Sequence, residues 1–172
     1  MSKKAKVIVT VSVVAGVILT VISALVIALF VREWYFSRPF VPAEDEIALY
    51  FTLNTEEDVG LIVFDYTANG RDFSGGVSNA NRTPLKKGEV IIDTRSREEL
   101  ECEGTTVRLT FELRIITEYV DPNYENIYPE EITRRLQPVS WTAAFGTAYD
   151  VVITGSKTKG YTVAVSEHAG EA

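Results

Sequence analysis

An uncharged apolar run near the N-terminus most constrains how this chain can fold. Residues Val7 to Val31 include no Asp, Glu, Lys or Arg, and apolar side chains would surround a helix of this sequence. At about 1.5 Å per residue, such a helix is longer than a hydrocarbon core of roughly 30 Å. A helix buried in a soluble protein usually keeps a polar face, because only one stripe contacts the core. The run therefore predicts a transmembrane helix over residues 7–31, with the lipid bilayer as its partner.

The flanks of this run predict an uncleaved anchor and its direction. A signal peptide has an apolar core of roughly 7–15 residues and a small-residue cleavage site, and this run is longer and lacks one. Three lysines precede it without an acidic residue, which places the N-terminus in the cytoplasm. Three aromatic residues follow it, as in an interfacial belt; alternatively, they begin the folded domain. The residues predicted to set orientation and the interface are Lys3, Lys4, Lys6, Trp34, Tyr35 and Phe36.

The segment order predicts a single-pass protein whose C-terminal part lies outside the cell membrane. Prepilins resemble the chain in outline, with a basic leader, an apolar helix and a β-rich head. They carry a Gly-Phe type processing site and usually a Glu near the helix start, and Ser2 to Val11 contains neither. Cys102 is the only cysteine, so no internal disulfide can form. Because small secreted animal domains commonly have such bonds, this favours a bacterial cell surface.

Composition narrows the class of partner. The chain has 17 basic and 24 acidic residues, and three of the basic ones are the N-terminal lysines, which leaves 14 basic residues for the outer part. An acidic surface argues against nucleic acid, which needs a positive footprint. The predicted segments are a cytoplasmic tail at 1–6, the span at 7–31, a juxtamembrane stalk at 32–46 and one extracytoplasmic domain at 47–172.

The outer segment shows the period of two that is typical of β-strands. In residues 107–115, for example, apolar residues alternate with charged residues and threonine, which predicts a strand with one buried face. Asn69-Gly70 predicts a hairpin turn, since both residues tolerate positive φ. Residues 71–88 are predicted to be mostly loop, with a short strand near Asp72 to Ser74. Seven strands are predicted, at residues 47–53, 61–67, 89–95, 107–115, 139–147, 149–154 and 161–166.

This pattern predicts a mainly β fold, an antiparallel β-sandwich of possible immunoglobulin type with one short helix. The Cys…Trp…Cys pattern of true immunoglobulin domains is missing. The helix is predicted at residues 129–136, because Pro129 suits a first helical position and Glu130 and Glu131 suit the positive end of the helix dipole. Ile132 and Leu136 would dock it on the sheet.

No residue pattern indicates a catalytic centre or a cofactor. His168 lies in a C-terminal tail that we expect to fray, and Cys102 lies between two glutamates, which disfavour a reactive thiolate. Acidic clusters such as Glu56-Glu57-Asp58 could supply the carboxylate pair of a glycosidase, but a solvated surface explains them better. Asp121-x-Asn123-x-Glu125 resembles the start of a calcium loop but lacks its glycine and its terminal glutamate. We therefore predict no catalytic residue, no metal and no cofactor.

The aromatic residues near the predicted helix are the one suggestion of a binding surface. They fill either the core, which is commoner for aromatic residues, or a platform for a sugar or a protein. The speculative partner-binding residues are Tyr119, Tyr124, Tyr128 and Trp141. The sequence thus predicts a non-enzymatic interaction or structural module at the cell envelope, with an envelope protein or glycan as its unknown partner. The alternative is a membrane-tethered hydrolase of envelope polysaccharide that uses paired carboxylates.

Overall fold

A computed structural model describes residues 20–28, 40–122, 125 and 127–169. The chain divides into two units, Met1–Phe40 and Val41–Ala172. In the first unit, residues 20–28 are helical and all of them are exposed. No helix among the described residues is long and apolar enough to cross a membrane. Most of the predicted span lies outside the described residues, as do the six residues predicted to set its orientation, so the span stays a prediction.

The second unit is built from strands. Most of them combine β-branched or aromatic residues with alternating burial, as expected for sheets that bury one face. A 3-10 helix, Glu130–Ile132, precedes the sixth strand. The strands are β1 (Glu46–Thr55), β2 (Leu61–Ala68), β3 (Arg71–Val77), β4 (Val90–Ser96), β5 (Thr106–Ile116), β6 (Thr133–Arg135), β7 (Val139–Ala144), β8 (Thr147–Ser156) and β9 (Gly160–Glu167).

These strands form two sheets. The first has the order β4-β1-β8-β9, and the second has the order β3-β2-β5-β6, with β7 also paired to β5. All pairs are antiparallel except β1 with β8, which is parallel. That pair lies in the middle of the first sheet, and parallel strands occur mainly where both faces are covered. The mainly β prediction is confirmed as a two-sheet, sandwich-like fold.

The core lies between the two sheets and is rich in aromatic rings. Phe51 of β1 stacks on Phe64 of β2 with ring centroids 5.5 Å apart, and Phe64 meets Phe111 of β5 at 5.3 Å. All three side chains are essentially inaccessible to solvent. A second, smaller cluster, which we call the outer cluster, lies on the other face of the second sheet. It consists of Leu61, Val63, Ile116 and Tyr128, with Tyr119, Val120 and Ile132 packed against them.

The predicted strands correspond to observed strands, but two elements differ from the predictions. Strand β3 runs from Arg71 to Val77, so the predicted loop holds a full edge strand. The predicted turn before it is present, since Asn69 and Gly70 have φ values of 51° and 85°. The predicted strand at 139–147 stops at Ala144, and Thr147 begins the next strand.

The predicted short helix is present, but its predicted extent over residues 129–136 is wrong. Only Glu130–Ile132 is helical, as one 3-10 turn, and Thr133–Arg135 pairs with β5. Ion pairs along a helix stabilise it by only about 0.2–0.5 kcal/mol each, which is less than docking on a sheet provides. The extended chain also lets Ile132 join the outer cluster while Leu136, 6% exposed, joins the main core. The main core and the outer cluster lie on opposite faces of the second sheet.

Candidate functional site

The outward face of the second sheet carries a polar depression. Outward residues of β2 alternate with core residues, and register places Asp65 between Ser74 of β3 and Glu112 of β5. In the next row, Thr67 lies between Asp72 and Thr110. The depression has a volume of about 500 Å³. We call it the acidic depression and define it by Asp65, Thr67, Asp72, Ser74, Thr110 and Glu112.

The acidic depression exists because the outward face of this sheet is covered over only part of its length. Toward one end, the segment between β5 and β6 folds back and Tyr128 covers Leu61 and Val63. Toward the other end, the outward residues of β2 change from apolar to polar at Asp65, which is exposed. Since polar groups retain favourable hydration when they stay in water, this half of the face remains open.

The depression carries uncompensated negative charge. Asp65 and Glu112 lie directly opposite each other in the register, and like charges in such a pair repel. Arg114 offsets one of them, because its Nη2 donates to Asp65 Oδ2 at 2.6 Å. Within the described part of the chain, no Lys or Arg forms an ion pair with Asp72 or Glu112. Two carboxylates are therefore available to a cationic group from outside.

Hydroxyl groups complete the polar lining of the acidic depression. Thr110 Oγ1 lies 2.8 Å from Ser140 Oγ of β7, so these two hydroxyls share a hydrogen bond. Tyr66 and Phe73 also border the depression, but their rings face the main core, where they stack with centroids 5.2 Å apart. Carboxylates and hydroxyls that accept hydrogen bonds are suited to a ligand that donates hydrogen bonds and carries positive charge.

A partly buried ion pair lies on the inward side of edge strand β4. Arg95 Nη1 donates to Asp93 Oδ1 at 3.0 Å. Asp93 Oδ2 also lies 2.6 Å from Arg95 Nη2. This contact is an ion pair, but its angles are not those of a hydrogen bond. The guanidinium also lies 5.9 Å and 5.6 Å from the ring centroids of Phe64 and Tyr66. Burial raises the pKa of Asp93, and Arg95 opposes this shift. Inward-pointing charges on an edge strand discourage pairing with other chains.

The expectation that the C-terminal tail frays from Glu167 is wrong for His168. Its backbone N–H donates to the carbonyl of Ala148 at 2.9 Å, and its Nδ1 lies 2.8 Å from Asp150 Oδ1. The ring stacks on Tyr50 with centroids 4.3 Å apart. Catalysis by such a pair needs a nucleophile within hydrogen-bond reach. Within the described residues, no hydrogen bond joins the His168 ring to a serine, threonine or cysteine.

The structure separates the three described residues of the aromatic platform that the sequence suggested. Tyr119 and Tyr128 belong to the outer cluster, where Tyr128 is 8% exposed. Trp141 packs against the main core and lies 5.3 Å from Phe111. Tyr124 lies outside the described residues. The three described residues therefore contribute to two hydrophobic clusters instead of one exposed surface.

The acidic segments remain dispersed. Asn123 and Asn126 of the calcium-like segment lie outside the described residues, and Asp121 lies 3.7 Å from Arg82. Among the described residues, no three His, Cys, Asp or Glu side chains converge as metal ligands would. Glu57, from a cluster considered for catalysis, accepts hydrogen bonds from the Tyr161 hydroxyl at 2.5 Å and the Lys157 amide at 2.6 Å. It therefore connects the loop after β1 to the β8–β9 hairpin.

Sequence reasoning did not identify the acidic depression. One signal was present, because Asp65 is a single carboxylate within the apolar run LIVFDYT. A charge at an outward position of such a strand marks where its apolar covering ends. Its neighbours Ser74 and Glu112 could not be assigned, because alternation identifies a face but does not say which strands are adjacent.

Comparison with known proteins does not place the chain in a family. No family model matches it, and no curated protein is similar to it. It is similar in part to a solved structure of pneumolysin, at 11% identity and a TM-score of 0.35 over 72% of this chain. Chains described as "Trapped Toxin" and "Crystal Structure of Gram Negative Toxin" give 12% identity each and TM-scores of 0.32 and 0.33. This chain spans 23% of the length of each of these structures.

Proposed function

We propose that this protein is a single-pass membrane protein whose extracytoplasmic β domain is a binding module of the cell envelope, with no catalytic role. The ligand surface is the acidic depression. One observation supports this most: Asp72 and Glu112 project from a sheet face into a depression of about 500 Å³, with no cation of the described chain paired to them. The partner is a protein or glycan of the envelope.

The anchor belongs to the same proposal. Its support is the uncharged run at residues 7–31 and the exposure of apolar side chains in the helix at 20–28, where Ile27 is 62% exposed. A helix that is apolar on every side suits a lipid environment. The lysines before the run and the aromatic residues after it support a cytoplasmic N-terminus and a C-terminal domain outside the membrane. An immunoglobulin-like topology is the finer form of the proposed fold.

Binding explains the acidic depression better than hydrolysis does. A glycosidase needs one carboxyl group that gives a proton and a second that attacks or activates water, at a definite separation across the bond. Enzymes usually shield such a pair from water. Here the carboxylates project from an outward sheet face, and Asp65 is already engaged by Arg114 at 2.6 Å. Polysaccharide hydrolysis remains the rival function and is an outcome of the test.

The test compares the full chain, purified in non-ionic detergent, with variants of the depression. The double variant Asp72→Asn, Glu112→Gln removes both free charges without changing size. Asp121→Asn with Glu167→Gln is the matched control, because both residues are exposed and lie outside the depression. We expect binding to a solubilised envelope fraction to weaken about tenfold or more in the depression variant alone, since two charge contacts are lost.

The same samples distinguish the rival function. Release of reducing sugar from envelope polysaccharide by the native chain, lost in the depression variant, would identify a hydrolase and overturn the binding proposal. Equal binding by all three proteins would show that the depression is not the ligand surface. In intact cells, added protease should remove residues 41–172, and a fully protected domain would refute the proposed orientation.

A further inference from the structure

Strand β3 presents an unpaired edge beside the acidic depression. Among the described strands it is terminal in the second sheet and pairs with β2 alone. Within the described residues, no backbone hydrogen bond joins β3 to any other segment. Edge strands are usually protected by lysine, proline or a covering loop. Strand β3 has no lysine or proline, and Gly75 and Gly76 have no side chain to shield the edge.

Local packing requires glycine at position 75 of this edge strand. A Cβ atom at Gly75 would lie 2.6 Å from Cε2 of Phe64, so the Phe64 ring occupies the space of a side chain. The Arg71 guanidinium, at the start of β3, pairs with the Glu101 carboxylate. The stretch from Asp72 to Val77 remains available. A stretch of this length matches the five or six residues of an average strand.

The register relates this edge to the negative charges. A strand added beside β3 would lie about 4.8 Å from it, with outward side chains about 5 Å from the Cβ atoms of Asp72 and Ser74. Ser74 is short and is followed across the sheet by Asp65 and then Glu112. A long cationic side chain opposite Ser74 can therefore extend over the depression, while one opposite Asp72 meets that carboxylate directly.

We propose that the partner of the acidic depression is an extended basic segment of an envelope protein, which adds as a strand to the free edge of β3. This inference rests on the proposed function and names its partner class. Lysine or arginine at alternate positions of the segment contacts Asp72 directly and extends over Ser74 toward Asp65, and the backbone forms the ladder with β3. Main-chain bonds supply affinity in such strand addition, and alternate side chains supply specificity.

Charge argues against a second copy of this chain as the occupant. The chain has a net charge of −7 at pH 7, so two copies repel each other at long range. A basic segment meets the opposite condition, because its charge is complementary to that of the chain.

The test uses an acetylated, amidated heptapeptide in which lysine and threonine alternate, Lys-Thr-Lys-Thr-Lys-Thr-Lys, with the full chain in non-ionic detergent. Asp72→Lys reverses the charge at the edge. Glu167→Lys is the matched control on the other sheet, where Glu167 is also exposed. We expect about tenfold or greater weakening with Asp72→Lys and less than about threefold with Glu167→Lys.

Two further measurements separate strand addition from general charge attraction. A peptide with methyl groups on alternate backbone nitrogens keeps its charge but loses ladder donors, so we expect it to bind about tenfold more weakly. Amide hydrogen exchange should slow at Asp72 to Val77 when the unmodified peptide binds. The proposal would be overturned if both peptides bound equally or if the two charge reversals weakened binding equally. It would also be overturned by protection of amides elsewhere, or by a β3-mediated dimer in sedimentation.

The outcomes also separate this inference from the proposed function. If the envelope fraction binds in a depression-dependent manner but the peptide does not bind β3, the module stands and a basic strand is the wrong partner class. If the peptide binds as expected but the envelope fraction binds independently of the depression, the ligand surface of the proposed function is wrong. Circular dichroism of each variant shows whether the sheets are intact.

Discussion

Replacement of Arg95 by methionine tests whether the ion pair inside edge strand β4 is required by charge or by packing. The side chains of Arg95 and Asp93 are 16% and 23% exposed, and the guanidinium lies over the rings of Phe64 and Tyr66. Methionine retains most of the aliphatic length and removes the charge. The substitution therefore leaves the Asp93 carboxylate without a cation in a mostly buried position.

The expected loss in the free energy of unfolding comes from that unpaired carboxylate. Removal of one partner from a buried ion pair costs about 3–5 kcal/mol. Because Asp93 keeps 23% of its side chain in solvent, we expect the lower end, about 3 kcal/mol. For a domain of this size, such a loss lowers Tm by roughly 10 °C.

The assay is urea unfolding of the full chain, followed by the β-sheet circular dichroism signal. The double variant Asp93→Leu, Arg95→Met replaces the pair by apolar side chains, and such replacements are often neutral or stabilising. We expect it to recover most of the loss. Arg135→Met is the matched control, since the Arg135 side chain is 62% exposed in its ion pair with Glu130. It should change the free energy of unfolding by less than about 1 kcal/mol.

The pH dependence provides an independent check. Burial raises the pKa of Asp93 above its ordinary value of 3.8, and Arg95 opposes this, so loss of Arg95 raises that pKa further. A carboxyl group whose pKa is higher in the folded state than in the unfolded state binds its proton more tightly in the native protein. Its contribution to the free energy of unfolding therefore falls as pH rises from 3.8 through the pKa of the folded state. The loss of unfolding free energy in Arg95→Met should accordingly be smaller near pH 4 than near pH 7. A deficit that is constant with pH and persists in the double variant would refute the charge explanation.

Two other substitutions test close packing and alkaline stability. Gly60→Ala should destabilise the domain by at least about 2 kcal/mol in urea unfolding, because the added Cβ would lie 2.2 Å from the backbone carbonyl of Glu118. Gly104→Ala, whose Cβ would be 3.4 Å from its nearest neighbour, should stay within about 0.5 kcal/mol; equal losses would exclude the steric explanation. Burial, and to a smaller extent the hydrogen bond to Glu57, raises the pKa of Tyr161 above 10.0. The stability that this tyrosine contributes is therefore complete below pH 10 and falls as pH rises further. Tyr161→Phe should cost about 1–2 kcal/mol at pH 9 and decline less steeply above pH 10, whereas parallel pH curves for the two proteins would contradict this.

Much of the strand content could be predicted because strand periodicity is local. Residues 107–115 alternate regularly, and β5 occupies Thr106–Ile116. The prediction was too long at residues 129–136, where local signals favoured eight helical residues and only Glu130–Ile132 is helical. Pairing of Thr133–Arg135 with β5 and burial of Leu136 depend on contacts with distant residues, which no local pattern contains. The full length of strand β3 was missed for the same reason, since Gly75 is favoured there by the Phe64 ring across the ladder.

The candidate site was the least predictable part. His168 was expected to fray, but Tyr50 and Asp150, far away in the sequence, hold it in place. The aromatic residues near the predicted helix were a plausible surface by sequence, yet those that the structure describes pack into two separate clusters. Residues of the acidic depression come from three strands, and apart from Asp65 each looks like an ordinary solvated residue in the sequence.

By itself, the sequence determined that this chain has an uncharged apolar segment at residues 7–31 and an acidic, β-rich remainder, because composition and periodicity are properties of neighbouring residues. Only the tertiary structure decided which strands are adjacent. The pairing of β2 with β3 and β5 places Asp65, Asp72 and Glu112 around one depression and leaves β3 as a free edge. Strand pairing is set by burial of both sheets around a shared core, and that is a property of the whole domain.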